Sequence, residues 1–251
     1  MTIPGLRPRG AGEAIVAGRA YVVAGGSRGI GLEIVRRLAP TAERIDVWSR
    51  AVDELEPTGV VRHVACDLAD PAAPLPEPPA AIHGLVYCPG TITLKSFRAL
   101  AEADFRRDLE VNLLGAVRVL QACQPRLTAA EGGSASVVLF STVAVAQGMP
   151  MHASIAAAKG AVEGLARSLA AEWAPRVRVN CLAPALVDTA LAARLLSSPE
   201  KREALAARSP MRRLGTPADA AALACFLLSD ESGWITGQVL GVDGGLSALR
   251  P

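Results

Sequence analysis

Short apolar segments rich in β-branched residues alternate along this chain with longer segments that have the periodicity of helices. The predicted strands are 19–25, 44–49, 60–66, 82–88, 135–141, 176–183 and 237–243. The predicted helices are 29–39, 102–129, 154–173, 189–207 and 217–229. Regular strand–helix alternation is typical of βαβ units, and strands that are apolar throughout fit a parallel sheet covered on both faces. The sequence therefore predicts an α/β fold with one doubly wound parallel sheet.

Length and composition restrict the organisation of the chain. The 251 residues are 51% hydrophobic and carry a net charge of +2, which suits one sizeable core and gives no reason to expect a nucleic-acid partner. No apolar run approaches the roughly 18 residues of a membrane span, and the N-terminus lacks the apolar region of a secretory signal. We therefore expect a cytoplasmic protein without a membrane partner, with residues 1–14 as a loose extension and 15–251 as a single domain.

The cysteines and two of the connections add further restrictions. The five cysteines, at positions 66, 88, 123, 181 and 225, include no CxxC pair and fit reduced core residues rather than disulfides or a zinc site. No spacing of His, Cys, Asp or Glu suggests a metal.

Only AVDELEP (51–57) separates the second and third strands, and five prolines occupy DPAAPLPEPPAA (70–81) after the third. We expect neither connection to contain a helix.

A glycine-rich segment, AGGSRGIG at 24–31, lies between the first predicted strand and the first predicted helix. Gly25, Gly29 and Gly31 form the pattern G-x-x-x-G-x-G. Glycine permits a sharp turn and lets a pyrophosphate approach the backbone, while free N–H groups at the start of a helix bind phosphate. Glycine triplets alone are a weak indication, but this placement predicts dinucleotide binding rather than a structural turn.

Residues at the end of the second strand indicate which dinucleotide is bound. NAD-binding folds usually place Asp or Glu there, where it bonds the ribose 2′-OH. This strand ends in Ser49 and Arg50, and Arg28 lies within the glycine-rich segment. Two guanidinium groups and a hydroxyl suit a 2′-phosphate, so the sequence favours NADP(H) over NAD(H). The alternative is that Arg50 is a solvated loop charge.

Several motifs resemble, in order and separation, those of the short-chain dehydrogenases/reductases. They are AGGSRGIG at 24–31, CDLAD at 66–70, VNLLGA at 111–116, FSTVA at 140–144, SIAAAKGAVEGLARSLAAE at 154–172, VRVNCLAP at 177–184 and GQVLGVDGG at 237–245. The resemblance covers about residues 15–247. It implies a Rossmann-type sheet of seven parallel strands. It also implies a homodimer or homotetramer built through the long helices and the C-terminal strand.

The resemblance further implies which residues hold the cofactor. They are Gly25, Ser27, Arg28, Gly29, Ile30, Gly31, Ser49, Arg50, Asp67, Leu68, Gly90, Lys159, Pro184, Val187 and Thr189. Within this set, Asp67 and Leu68 would lie near the adenine. Val187 and Thr189 would contact the nicotinamide carboxamide. Residues 190–213 would form the substrate lid.

Catalytic roles follow from the same resemblance, with one departure. The catalytic serine of the family corresponds to Thr142, with the adjacent Ser141 as the other candidate, and Asn112 would support a proton relay. The family's Tyr-x-x-x-Lys motif occurs here as Ile155-Ala-Ala-Ala-Lys159. Isoleucine cannot protonate a substrate oxygen, whereas Lys159 keeps the family's other role of bonding the nicotinamide ribose hydroxyls.

His152 is the main candidate to replace the missing phenol as proton donor. It lies seven residues before Lys159, close to two helical turns, so the two share a face if the helix extends that far. An unperturbed imidazole titrates at about pH 6.5. Enoyl-acyl-carrier-protein reductases, a divergent branch, are similar in placing their tyrosine at this spacing. Alternatively, His152 contacts the substrate or has no role in the site. The chain has two tyrosines, and we expect Tyr21 in the core and Tyr87 beside the cofactor.

Three functions remain open at this point. The first is an NADP(H)-dependent reductase of a carbonyl or an activated C=C bond in a small or acyl-carrier-bound substrate. Its proton donor would be His152, or a water held by Asn112 and Lys159. The second is a dinucleotide-binding regulatory or sensor protein without turnover, which the replacement at Ile155 favours. The third is a non-redox dehydratase or isomerase with His152 as base, because fold alone does not fix chemistry.

Overall fold

The structure is a computed structural model that describes residues 18–127 and 134–249, so the predicted extension at residues 1–14 lies outside the described residues. Seven strands form one parallel sheet. They are β1 (Arg19–Ala24), β2 (Ala42–Ser49), β3 (Val61–Ala65), β4 (Gly84–Tyr87), β5 (Ala135–Phe140), β6 (Val177–Pro184) and β7 (Val239–Val242). Each strand begins and ends within two residues of its predicted position, so the predicted parallel α/β sheet is confirmed.

Helices cover both faces of this sheet. They are α1 (Gly29–Leu38), α2 (Glu102–Leu109), α3 (Gly115–Cys123), α4 (Val143–Gln147), α5 (Ala153–Trp173), α6 (Pro199–Ala206) and α7 (Pro217–Leu228). The strand order is β3-β2-β1-β4-β5-β6-β7, which reverses direction between β1 and β4. Ligands of open α/β sheets bind at such a switch point, beyond the carboxyl ends of the strands.

Strand side chains alternate between two core layers. Val22, Leu85 and Val137 point into one layer, where α3 and α5 pack against the sheet. Val23 and Val86, the next residues along their strands, point into the other layer beneath α1 and α7. Because both faces are buried, the strands have no polar face, which explains their continuous apolar sequences.

The two helix-poor connections are confirmed. Residues 50–60, between β2 and β3, and residues 66–83, between β3 and β4, form turns and irregular chain without a helix. The second connection holds the five prolines, which lack the backbone donor that a helix requires.

Two predicted helices differ in the structure. The predicted helix 189–207 is wrong over its first half, which is a short 3₁₀ turn at Ala190–Ala192 followed by turns. The helix α6 begins only at Pro199, because Ser198 caps it by accepting from Lys201 N at 3.4 Å. The predicted helix 102–129 contains a π-helical turn at Glu110–Leu114, between α2 and α3. Such turns are rare, and apolar periodicity does not reveal them.

The described residues contain neither a membrane-spanning helix nor a group of metal ligands. None of their helices combines the length and the apolar character needed to cross a membrane. Within residues 18–127 and 134–249, His, Cys, Asp and Glu side chains form no group of three or more that could hold a metal ion. The five cysteines are all described and all free.

Candidate active site

A cleft of about 720 Å³ opens at the carboxyl ends of β4 to β7, beside the first turn of α1. One wall comes from residues that follow the strands, and the segment 190–213 contributes Leu191, Leu195 and Met211 to another. The predicted site residues that line the cleft are Ile30, Gly90, Ser141, Thr142, His152, Lys159, Pro184, Val187 and Thr189. The fold therefore brings together residues from six separate parts of the sequence.

The glycine-rich segment forms a tight turn from β1 into α1. Gly25 and Gly29 have φ angles of +73° and +57°, a left-handed region that side chains disfavour. A Cβ atom on Gly31 would lie 2.3 Å from the carbonyl oxygen of Gly25, so no other residue fits there without moving the backbone. The first N–H groups of α1 lack helical partners and are available to an anion.

The end of the site nearest β2 carries two free cations and one carboxylate. Arg28 and Arg50 are exposed, and their guanidinium groups hydrogen bond to no residue of the described part of the chain. Ser27 is buried and donates its hydroxyl proton to Asp53 Oδ2 at 2.8 Å. The Ser49 hydroxyl donates to the carbonyl oxygen of Ala51 at 2.8 Å. Ser49 therefore supports its own loop and offers no free donor proton.

Asp67 and Leu68, predicted beside the adenine, follow the end of β3 and do not line the cleft. Asp67 Oδ1 accepts a hydrogen bond from Ala69 N at 3.0 Å. The Leu68 side chain is buried in the core, and its carbonyl oxygen accepts from Arg118 Nη2 at 2.7 Å. Their proximity to an adenine stays a prediction.

The two hydroxyl residues after β5 have different partners. Thr142 caps α4, and its Oγ1 accepts from Ala144 N at 3.3 Å, which leaves its own proton uncommitted among the described residues. Ser141 is buried and donates to Glu163 Oε1 at 2.7 Å. The other oxygen of Glu163 accepts from Arg167 at 3.2 Å. Of the two candidates, Thr142 is the hydroxyl that can donate into the cleft.

Two residues of α5 and the residue just before it line the cleft. The helix begins at Ala153, and His152 lies immediately before it. Ile155 and Lys159 occupy successive turns and both line the cleft with His152. His152 Nδ1 is 2.8 Å from the carbonyl oxygen of Pro150. Because a carbonyl only accepts, Nδ1 carries a proton, and Nε2 is the ring atom that can exchange one with a ligand.

The chain contains two tyrosines, and neither lines the cleft. Tyr87 is 3% exposed, and its hydroxyl donates to the carbonyl oxygen of Val111 at 2.7 Å. Tyr21 is buried in the core as expected, where desolvation raises the pKa of its phenol to about 12. Burial also raises the pKa of Tyr87. Neither phenol is placed to protonate a ligand in the cleft.

Lys159 and Asn112 converge on Gly90. A Cβ atom on Gly90 would lie 3.3 Å from Asn112 Oδ1 and 3.7 Å from Lys159 Nζ. Asn112 Oδ1 is buried without a partner among the described residues, and the ammonium of Lys159 hydrogen bonds to none of them. Burial lowers the pKa of Lys159 to about 8. One unpaired acceptor and one unpaired donor thus face the same spot beside the cleft.

Comparison with known proteins decides the family. A sequence profile described as "Enoyl-(Acyl carrier protein) reductase" matches residues 24–247. A tropinone reductase homolog of Arabidopsis thaliana is 34% identical over 92% of this chain and 93% of its own length. Dehydrogenase/reductase SDR family member 4 of Homo sapiens is 32% identical over 92% of this chain and 88% of its own. The chain belongs to the short-chain dehydrogenase/reductase family.

A solved structure extends this comparison. A Beutenbergia cavernae protein, described as an NAD(P)-dependent gluconate 5-dehydrogenase and solved with bound NADP, is 32% identical to this chain. The two structures superpose with a TM-score of 0.82 over 94% of this short-chain dehydrogenase/reductase and all of that protein. The resemblance noted in the sequence motifs is therefore confirmed at the level of family and fold.

Sequence reasoning missed three acidic residues that support the site of this short-chain dehydrogenase/reductase. Glu163 holds the Ser141 hydroxyl, and Asp53 holds that of Ser27. Asp108 is fully buried and lies one helical turn before Asn112. Glu163 lies one helical turn after Lys159. The sequence could have indicated both acids, because each is four positions from a predicted site residue on the same helix face. Asp53 lies in a loop, where no periodicity marks it.

Proposed function

We propose that this chain is an NADP(H)-dependent oxidoreductase with a non-standard proton donor. It reduces a carbonyl or an activated C=C bond of a small or acyl-carrier-bound substrate. The observation that carries the proposal is the cleft itself, which Thr142, His152 and Lys159 line together with Ile30 of the glycine-rich segment. Ile155 occupies the position from which the family's tyrosine would act. The family membership supports redox chemistry, and the changed residue concerns only the source of the proton.

The residues present fit a dinucleotide. The glycine-rich turn packs its own backbone so closely that a Cβ atom on Gly31 would clash with the carbonyl oxygen of Gly25, and the N-terminus of α1 that follows offers N–H groups without helical partners. Among the described residues, neither Lys159 Nζ nor Asn112 Oδ1 has a hydrogen-bond partner. Ribose hydroxyls can both accept from an ammonium and donate to an amide oxygen, so they match this pair. The NADP bound to the Beutenbergia cavernae relative supports the same assignment.

The preference for NADP(H) rests on Arg28 and Arg50. Both guanidinium groups are exposed and unpaired beside the glycine-rich turn, and together they suit a phosphate dianion. Asp53, bound to Ser27, adds one negative charge nearby. We expect the two cations to outweigh this carboxylate. Replacing Arg28 and Arg50 by glutamine should weaken NADPH binding more than NADH binding, and equal effects on both would contradict the preference.

Bound nicotinamide supplies the hydride chemistry, and the chain orients the reacting groups. Thr142 donates its free hydroxyl proton to the oxygen on which negative charge develops. Ser141 acts indirectly, because its hydroxyl is held by Glu163 and fixes the start of α4. Lys159 adds a positive charge at the same end of the cleft. Ile155 excludes water from the wall between Lys159 and His152.

The proton comes from His152 Nε2 in this proposal. Because Nδ1 already donates to Pro150, the neutral ring has no proton on Nε2, and only the imidazolium can act as the acid. A water between Asn112 Oδ1 and Lys159 Nζ is the alternative donor, since both atoms face Gly90. With that donor, removal of His152 would leave turnover unchanged.

The lid segment 190–213 supports an apolar substrate body. Leu191, Leu195, Leu205 and Met211 line the cleft, and they surround it with aliphatic surface. The description of the matching family model supports a carrier-bound acyl substrate, and the name of the tropinone reductase homolog supports a small ketone. We propose substrates of these two kinds. The assay therefore includes both ketones and enones.

Purified protein should first be titrated with NADPH and NADH and then assayed against ketones, quinones and enoyl thioesters. We expect NADPH binding and its consumption with at least one substrate. His152→Ala should reduce turnover at saturating substrate, and unchanged turnover would remove His152 from the mechanism. Ile155→Tyr should raise ketone reduction, with Ile155→Phe as the matched control that adds the ring without the hydroxyl. Equal behaviour of these two variants would show that a phenol at position 155 does not restore the usual chemistry.

A dinucleotide-binding protein without turnover is the second candidate, favoured by the aliphatic wall at Ile155. Its cleft would bind the cofactor through Lys159 and the glycine-rich turn but supply no acid. NADPH binding without consumption on any substrate of the panel would favour this candidate. A dehydratase or isomerase that uses His152 as base is distinguished by product formation without any change in NADPH.

We also propose a homodimer or homotetramer in the cytoplasm. The face of α5 away from the sheet is exposed at Gly164, Arg167, Ser168 and Ala171, and these mostly small residues permit close approach of a second copy. Five free cysteines suit a reducing compartment. Light scattering coupled to gel filtration measures the assembly, and a monomer at micromolar concentration would contradict the first part of this proposal.

A further inference from the structure

A buried carboxylate lies behind the cleft, on the last turn of α2. Asp108 is 0% exposed. Its Oδ1 accepts hydrogen bonds from the hydroxyls of Thr91 and Thr93, at 2.6 and 2.9 Å. Its Oδ2 is buried and has no partner among the described residues. A buried carboxylate that is only half satisfied is costly, so a compensating positive charge is expected nearby.

Hydrogen bonds connect this carboxylate to the cleft. Asn112 Nδ2 donates both to Thr91 Oγ1 and to the carbonyl oxygen of Asp108, each at 2.8 Å. The same amide turns its Oδ1 towards Gly90, where Lys159 Nζ also lies. Thr91, which lines the cleft, thus donates to the carboxylate and accepts from the amide. Thr91, Thr93, Asp108 and Asn112 thus form one hydrogen-bonded cluster, and the Lys159 ammonium lies beside the Asn112 end of it.

The groups that act on Lys159 are few. Cys88 at the end of β4 and Cys181 in β6 lie near the ammonium, but burial raises the pKa of each thiol to about 12, so both are neutral at physiological pH. Glu163, one turn along α5, is engaged by Ser141 and Arg167. Ile155, one turn back, carries no charge. Among the described carboxylates, Asp108 alone contributes to holding the proton on Lys159.

We propose that Asp108 is the fixed counter-ion of Lys159, a positioning residue that keeps the ammonium charged beside the cofactor pocket. The hydroxyls of Thr91 and Thr93 fix the position of the carboxylate by donating to it. The negative charge in turn opposes the desolvation that favours neutral Lys159. The effect on cofactor affinity rests on the proposed function, whereas the charge state of Lys159 is a property of the free protein.

The charge state can be observed directly, because the chain contains only three lysines, Lys95, Lys159 and Lys201. Protein labelled with ¹³C-lysine should give three side-chain signals, assigned through Lys95→Arg and Lys201→Arg. The Lys159 signal is expected to titrate near pH 8 in the free wild-type protein. In Asp108→Asn, which keeps an oxygen for the threonine hydroxyls, the midpoint should fall by about one pH unit.

Asp104→Asn is the matched control. It removes the same charge from the same helix, but Asp104 lies towards solvent and pairs with Lys95 instead. The Lys159 midpoint should not move in this variant. Equal midpoints in wild type, Asp108→Asn and Asp104→Asn would overturn the proposal.

A second measurement does not depend on the folding of Asp108→Asn. In wild-type protein labelled with ¹³C at the aspartate carboxyl, one signal should step at the pH where Lys159 titrates. The step should be absent in Lys159→Met, and no aspartate step in the wild type would also overturn the proposal. Failure of NADPH to bind, with these titrations as expected, would refute the proposed function and leave the Asp108–Lys159 pair standing.

Discussion

Replacing Lys159 with methionine should make the free protein more stable at neutral pH. Lys159 is 7% exposed and its ammonium has no hydrogen-bond partner among the described residues, so the folded chain disfavours the charged form. Methionine has a similar length and flexibility and fills the same space without a charge. The variant therefore removes a cost of folding while it also removes a group that we assign to cofactor binding.

The magnitude follows from the pKa of Lys159. Burial lowers this pKa from 10.5 to about 8. Each pKa unit corresponds to about 1.4 kcal/mol, so the lysine reduces the free energy of unfolding by about 3 kcal/mol when both states are protonated. Below about pH 8 this full cost is present. Between about pH 8 and pH 10.5 the unfolded chain binds more protons than the folded one, so the cost declines and then vanishes.

Urea denaturation of wild type and Lys159→Met at about pH 7 and about pH 10.5 measures this effect. The variant should be more stable by about 3 kcal/mol at the lower pH, and the difference should largely disappear at the higher pH. The comparison between two variants cancels the titration of cysteines and tyrosines, which occurs over the same range. A variant that is no more stable than wild type near neutrality would show that burial of the Lys159 ammonium does not destabilise the folded chain.

Three further substitutions test two close backbone contacts of glycine residues and one helix cap. Gly31→Ala places a Cβ 2.3 Å from the carbonyl oxygen of Gly25, so NADPH affinity should fall by more than about tenfold while circular dichroism stays unchanged; affinity within twofold would contradict the tight turn. Gly115→Ala places a Cβ 2.3 Å from the Tyr87 hydroxyl and should lower the free energy of unfolding by about 2 kcal/mol in denaturant titration. Thr216→Ala removes the side-chain cap of α7 and should cost about 1 kcal/mol, with an unchanged Tm as the contrary result.

The strands could be predicted from sequence because each is apolar on both faces and short. The bounds of β1 and β5 differ from prediction by one residue at one end. The glycine-rich turn could also be predicted from sequence, because its glycines permit the close backbone contact between Gly25 and Gly31. These features depend on local sequence and on the two-sided burial of a parallel sheet, so no knowledge of distant partners was required.

The parts that escaped prediction depend on distant or competing interactions. The first half of the predicted helix 189–207 has helical composition, but the cap at Ser198 starts a new helix there. The π-helical turn at Glu110–Leu114 leaves no mark on apolar periodicity. The commitment of Ser141 to Glu163 follows only from the packing of β5 against α5, and the bond from Ser49 to Ala51 follows from a loop. Hydroxyl assignments read from sequence therefore needed the structure.

The unpartnered ammonium of Lys159 also has an evolutionary consequence. A single base change converts a lysine codon into one for methionine, glutamine or isoleucine, each without the charge that burial penalises. Drift towards such neutral residues would be thermodynamically downhill in a lineage that had no use for the ammonium. This chain has lysine at position 159 and isoleucine four positions earlier. Selection on ligand capture, rather than on folding, is the pressure that can hold such a residue in place.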